Sequence, residues 1–189
     1  MNEFVTLDEI RAAKERINGV AVRTPLYRVE RARLRMVNLP EPEFDLYIKA
    51  ESEQPIGSFK LRGAYNMVSQ LSPEARSRGV ITYSSGNHAQ GVAYAARALG
   101  AKAVIVMPSN APDVKKAATR ALGAEIVEVG PASSERKLKA EELVTKFGYA
   151  MIPPYDAARS VSAAKMPNTP TQHHPAPHKC SLSPSPRPW

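Results

Sequence analysis

The stretch GVITYSSGNHAQGVAYAARALGAKAVIVMP, residues 79–108, carries one full period of the pattern that decides the fold. A short apolar run, VITYS, breaks into a Ser-Gly-Asn turn, and a helical segment follows over 88–99. Gly100 closes that segment and a second apolar run, AVIVM, begins. The order repeats downstream with the runs AEIVEV and YAMI and helical segments over 112–122 and 134–147, closed by Gly123 and Gly148. Apolar runs of this length predict strands covered on both faces. A glycine just past a helix accepts the left-handed conformation that ends it. Pro112 stands where the second helix begins, with Asp113 in the first turn, where a carboxylate suits the helix dipole. Strand and helix in alternation predict a parallel sheet with right-handed crossovers. The expected class is α/β, with a small domain over 79–156 built on a four-stranded parallel sheet and flanking helices.

Upstream of the repeat the signals are more local. Thr6 is placed to cap a helix over 6–17, and Glu9, three residues on, completes a capping box. Leu7, Ile10, Ala13 and Ile17 would form its apolar stripe. RTPLYR (23–28) reads as extended, because Pro25 disfavours the helical region for Thr24. FDLYIKAE (44–51) reads as a strand, and a helix is predicted over 58–71 with Leu61, Ala64, Tyr65, Val68 and Leu71 on one face. The apolar faces of residues 1–60 are expected to be short of partners and open to aggregation or partial disorder. Residues 61–78 are expected to form a connecting helix region.

Composition narrows the function classes. Of 189 residues, 43% are hydrophobic and 23% charged, the balance of a soluble globular protein. The formal charge of +8 invites nucleic acid, yet Arg159, Lys165, Lys179 and Arg187 supply half of it from a segment without acids. Elsewhere bases and acids interleave, as in EIRAAKER, which is the pattern of a solvated helix face. Nucleic-acid binding is therefore not expected. No stretch approaches the roughly 18 apolar residues of a membrane span, and the N-terminus lacks a signal-peptide core. A cytoplasmic location is the expectation. The single cysteine, Cys180, excludes an internal disulfide framework.

Beyond Asp156 the composition changes abruptly. Residues 157–189 hold seven prolines and five serines with no glycine and no acid, so a disordered tail is expected. The switch reads as a shifted frame or as foreign sequence joined to a truncated gene. His173, His174, His178 and Cys180 in this tail match no common zinc spacing, and no metal site is expected. Ser134 and Lys137 match S-x-x-K without the companion motifs that would give it meaning.

Two segments carry candidate chemistry. In EQPIGSFKLRGAYNM (53–67), Lys60 follows a glycine-bearing loop near a helix start, flanked by Phe59 and Leu61. Apolar neighbours disfavour an ammonium, and the neutral amine is the nucleophile that attacks carbonyls. A lysine snorkelling from a helix's first turn fits the same local sequence. In TYSSGNHAQGVAYAA (82–96), the turn Ser84-Ser85-Gly86-Asn87 leads from a strand end into a helix. Unpaired N–H groups and the positive end of the dipole favour an anion there, at the strand end where open α/β sheets bind ligands. A plain helix-capping turn fits equally well.

Together GSFKLRGA (57–64) and SSGNHAQG (84–91) resemble the two signature blocks of the pyridoxal-phosphate-dependent threonine and serine dehydratases, fold type II enzymes related to the serine racemases. The resemblance runs from about residue 6 to 156, through RTPL (23–26) and IVMPSNAPDVKKAATRALGAEIV (105–127) to PPYD (153–156), and Asn87-His88 is similar to the dehydratase branch. It implies pyridoxal 5'-phosphate as cofactor, a small amino acid as substrate and a homo-oligomeric assembly. Lys60 matches the lysine that bonds the cofactor and moves the α-proton. Phe59 matches the aromatic beside the cofactor ring, and Asn87 the group that hydrogen-bonds its 3-hydroxyl. Ser84, Ser85, Gly86, Asn87 and His88 match the loop that holds the substrate carboxylate. Ser85 also matches the serine that in racemases is the base on the second face, a base that dehydratases with a similar loop do without. His88 is expected to be structural, oriented by the loop.

The resemblance also implies that residues 1–60 are an incomplete N-terminal portion of a larger α/β domain. The chain departs from the family in two cofactor contacts, one of them a late Ser or Cys opposite the pyridine nitrogen. The glycine-rich loop that cradles the cofactor phosphate has no counterpart, since no two of the ten glycines are adjacent. The implied activity is deamination of L-threonine or L-serine to a 2-oxo acid and ammonia. The alternatives are a truncated, non-catalytic fragment that has lost the cofactor, and serine racemisation.

Overall fold

The computed structural model describes residues 5–30 and 44–154. The proline-rich segment 157–189, with the expectations attached to it, lies outside the described residues. Helix α1 (Leu7–Arg16) begins at the predicted capping box: Thr6 Oγ1 accepts from Glu9 N at 3.3 Å, and Glu9 Oε2 accepts from Thr6 N at 2.7 Å. The apolar stripe is narrower than predicted. Ala13 and Ile17 are buried but Leu7 is exposed, because the helix is fastened at its C-terminal end, where Arg16 Nε donates to Asn66 Oδ1 at 2.6 Å.

Strands β1 (Leu26–Arg28) and β2 (Tyr47–Lys49) pair antiparallel, Tyr27 opposite Ile48. The strand expected over 44–51 is shorter because Glu51–Glu53 turns into a 3-10 helix. Tyr27, Phe44, Leu46, Tyr47 and Ile48 are exposed. Polar contacts nonetheless pin this N-terminal part firmly. Glu51 accepts from Arg62 Nη2 at 2.8 Å and from Thr24 Oγ1 at 2.6 Å, while Gln54 donates to Val22 O and accepts from Val22 N. Among the described residues of 1–60, α1, β1, β2 and the 3-10 helix are the regular elements.

Helix α2 (Lys60–Ser69) is the helix predicted over 58–71, trimmed at both ends. The short α3 (Pro73–Arg78) is not among the predicted elements, although Ser72 caps it and Pro73 fills its first position. The alternating repeat then follows as β3 (Val80–Tyr83), α4 (Asn87–Ala98), β4 (Ala103–Pro108), α5 (Asp113–Ala121), β5 (Glu125–Val129), α6 (Ser133–Phe147) and β6 (Ala150–Met151). The four strands form one parallel sheet in the order β5-β4-β3-β6. Gly100, Gly123 and Gly148 take φ values of 67°, 87° and 71°, the left-handed closure predicted for each helix.

The pleat sorts the sheet's side chains into two cores. Ala103, Ile105 and Met107 of β4 pack with Ala89, Val92, Ala93 and Ala96 of α4. Val104 and Val106 turn the other way and join Ile81 and Ala140 of α6. Burial on both faces holds for β3 and β4; among the described residues β5 and β6 are the outer strands, and β5 exposes Glu125 and Glu128. Ala64, Met67 and Val68 of α2 belong to the first core. The expected connector at 61–78 thus contributes its helix to a layer of the small domain. Helices α2 and α4 cross backbone to backbone at Gly91, where a Cβ would stand 3.1 Å from Lys60 O and 3.2 Å from Ala64 Cβ. Among the described residues no helix is long and apolar enough to cross a membrane.

Candidate active site

Lys60 opens α2, and the chain reaches it through a tight turn in which Gly57, at φ 69°, donates its N–H to Gln54 O at 2.7 Å. The Lys60 side chain is half-buried. Its Nζ lies 5.4 Å from the centroid of the Phe59 ring, which is 47% exposed, and donates to Pro154 O at 3.1 Å. Ser58, two residues upstream, is buried, and its hydroxyl has no hydrogen-bond partner among the described residues.

The second segment begins where β3 ends. Ser84 N still donates to Val106 O at 3.1 Å, and Ser84 Oγ accepts from Gly86 N at 3.3 Å, folding the chain into α4. Among the described residues no side chain caps this helix, so its first N–H groups are available to an anion. Asn87 stands exposed at its first position, and Ser84, Ser85 and Gly86 are half-buried. A Cβ on Gly86 would meet nothing within 4 Å, so the loop backbone borders open space.

His88 is withdrawn from that space. It is 3% exposed, and its Nε2 lies 3.1 Å from Ile152 O. Because a carbonyl only accepts, Nε2 carries the proton and Nδ1 is a bare lone pair, buried without a hydrogen-bond partner among the described residues. Burial pushes the imidazole down from 6.5 to about 4 against the carbonyl bond, which favours the charged form, and the nearby Lys60 charge adds to the drop. His88 is neutral at pH 7, and its ring is bonded to the Ile152 carbonyl just past β6.

The two segments therefore meet. The α2–α4 crossing fixes the backbone of Lys60 beside α4, and the segment Ile152–Pro154 touches both His88 and the Lys60 amine. Sequence reasoning placed the lysine and the loop but missed Gly91, Ser58 and the two carbonyls of 152–154. A glycine inside an alanine-rich helix signals close packing; a backbone acceptor leaves no such mark.

A family model described as pyridoxal-phosphate dependent enzyme matches residues 17–166. This chain belongs to the pyridoxal-phosphate-dependent enzyme family. It is 45% identical over 141 residues to the biosynthetic L-threonine dehydratase of Haemophilus influenzae, covering 75% of this chain and 26% of that one. Serine racemase of Schizosaccharomyces pombe is 38% identical over 151 residues, 80% of this chain and 45% of the racemase. The structure of maize serine racemase superposes with a TM-score of 0.77 at 34% identity, covering 85% of this chain and 47% of that chain. The chain thus spans from about a quarter to just under half the length of these relatives.

As a member of the pyridoxal-phosphate family, the chain has residues that fit one side of the cofactor. A half-buried amine, an exposed aromatic beside it, an orphaned buried hydroxyl at Ser58 and open space at Gly86 suit an aldehyde-bearing polar ring. The phosphate side has no such match among the described residues. The glycines with positive φ, such as Gly57 and Gly100, are isolated in sequence and build no run of adjacent N–H groups.

Proposed function

We propose that this chain is the Lys60-bearing part of a dehydratase that deaminates L-threonine or L-serine. The observation that carries the reading is the convergence of the Lys60 amine and the uncapped start of α4 on one site at the C-terminal ends of β3 and β6. Identity of 45% to a threonine dehydratase supports it.

In this reading each residue has a task set by its chemistry. Lys60 would hold the cofactor aldehyde through Nζ, and its free amine would take the proton from the substrate's α-carbon. Phe59 would hold the cofactor ring and Asn87 its 3-hydroxyl. The N–H groups at the start of α4, with Ser84, Ser85 and Gly86, receive the substrate carboxylate and hold the α-proton toward Lys60. The bound cofactor supplies an electron sink for the charge left at the α-carbon. The α-proton and the β-hydroxyl leave as water; hydrolysis of the released enamine, through its imine, consumes that water and yields ammonia and a 2-oxo acid. Serine racemisation is the second reading. It is favoured by Ser85, half-buried in the loop, and by the racemase relatives.

Mixing the purified chain with pyridoxal 5'-phosphate tests the proposal. A near-visible absorption band that Lys60→Ala abolishes, with 2-oxo acid formed from L-threonine or L-serine, is the expected result. D-serine formed from L-serine in place of 2-oxo acid selects the racemase. Absence of the band in the wild-type chain refutes both activities and leaves a non-catalytic fragment.

A further inference from the structure

Ile152, Pro153 and Pro154 follow directly on β6, and the segment bonds both His88 and the Lys60 amine. Ile152 is fully buried and held on two sides: its N–H donates to Ile81 O at 2.8 Å, and its carbonyl faces His88 Nε2 at 3.1 Å. Two prolines come next, each with φ fixed by its ring, so the direction set at Ile152 is carried forward with little freedom. The carbonyl of Pro154 then receives the Lys60 amine at 3.1 Å. The backbone of Lys60 is itself fixed against α4 at Gly91. The contacts close a ring: α4 through His88 to Ile152, along the prolines to Lys60, and back to α4 through Gly91.

We propose that His88 is a positioning residue for Lys60, acting through the Ile152–Pro154 strap: its Nε2–H sets where the Pro154 carbonyl stands, and that carbonyl sets where the lysine amine rests. The proposal assigns the imidazole a task that needs no contact with substrate. The neutral state of His88 suits it, since one ring nitrogen donates to Ile152 and the ring brings no second positive charge near Lys60. The inference concerns the lysine on which the proposed function rests, and its test requires no cofactor, so the two fail separately.

The test is competitive acetylation of the folded chain with trace acetic anhydride, read lysine by lysine by peptide mass spectrometry. In the wild type Lys60 is expected to label less than the exposed Lys137 and Lys146. Glutamine places its amide nitrogen where His88 carries Nε2, whereas the asparagine amide stops short. His88→Asn is therefore expected to raise Lys60 labelling about fivefold, the factor that goes with one lost hydrogen bond. His88→Gln is expected to stay within about twofold of wild type, and Lys137 and Lys146 to stay unchanged in both. Unchanged Lys60 labelling in His88→Asn overturns the proposal, and so does an equal rise in His88→Gln. Should His88→Asn unfold the chain, all lysines rise together and Pro153→Gly, with His88 intact, decides. A rise confined to Lys60 supports the strap, and no rise there overturns it.

Discussion

Acidification from pH 7.5 to 4 protonates His88 in the unfolded chain well before it does so in the folded one. The unfolded imidazole titrates near 6.5, whereas burial holds the folded one at about 4. Between those values the unfolded state binds a proton that the native state does not, so stability falls as pH falls. His88's contribution is whole above pH 6.5 and is lost progressively down to about 4. At about 1.4 kcal/mol per pH unit, the gap amounts to about 3 kcal/mol, a large part of the ~5–15 kcal/mol that holds a domain together. Carboxylates contribute to acid unfolding as well. Burial works to raise Glu51, but its bonds from Arg62 and Thr24 outweigh that and hold it low, so it too loses stability once protonated. Urea unfolding at pH 7.5, 5.5 and 4 of wild type beside His88→Gln separates the two sources, because the carboxylates are common to both. Wild type is expected to lose about 3 kcal/mol more than the variant across the range. Equal losses in the two proteins would refute the buried, neutral assignment of His88.

Gly91→Val drives a branched side chain into the carbonyl of Lys60 and the methyl of Ala64, neither of which can swing aside; urea unfolding should show about 2 kcal/mol of destabilisation, although helix propensity alone favours the change by a few tenths. Glu51→Gln leaves the Arg62 guanidinium buried without its carboxylate, and the expected loss is about 3 kcal/mol in the same measurement. Thr6→Ala removes a reciprocal cap on an exposed helix start, for a loss of about 1 kcal/mol; a change near zero would mean that α1 contributes little to the cooperative unit.

The parallel sheet was legible because its signals are periodic and repeated: apolar runs, helices between them and a closing glycine after each. The capping box at Thr6 and Glu9 was legible for the same reason, since both partners lie in one short window. What escaped depends on contacts distant in sequence. The exposure of Leu7 follows from where α1 is fastened, the place of α2 in the core from its crossing with α4, and neither is a property of the segment itself. The candidate site divides likewise. Lys60 and the loop 84–88 stand in recognisable motifs, whereas the acceptor for the lysine is a proline carbonyl 94 residues away. Backbone oxygens carry no residue signature, so only the fold reveals which of them matter.

The two prolines after β6 also bear on how the sheet ends. Within the described residues β6 is one outer strand and β5 the other. An outer strand with unpaired N–H groups is a template on which a second molecule's chain can add and aggregate. Pro153 and Pro154 remove the donors just where β6 would lengthen. At the other margin, Glu125 and Glu128 place charge along β5, and each is answered by a lysine of the same chain, Lys102 at 2.8 Å and Lys116 at 2.7 Å. The residues that aim a carbonyl at Lys60 therefore also guard one margin of the sheet. Replacing them to loosen the site carries a second consequence, a greater readiness of the chain to associate through that edge.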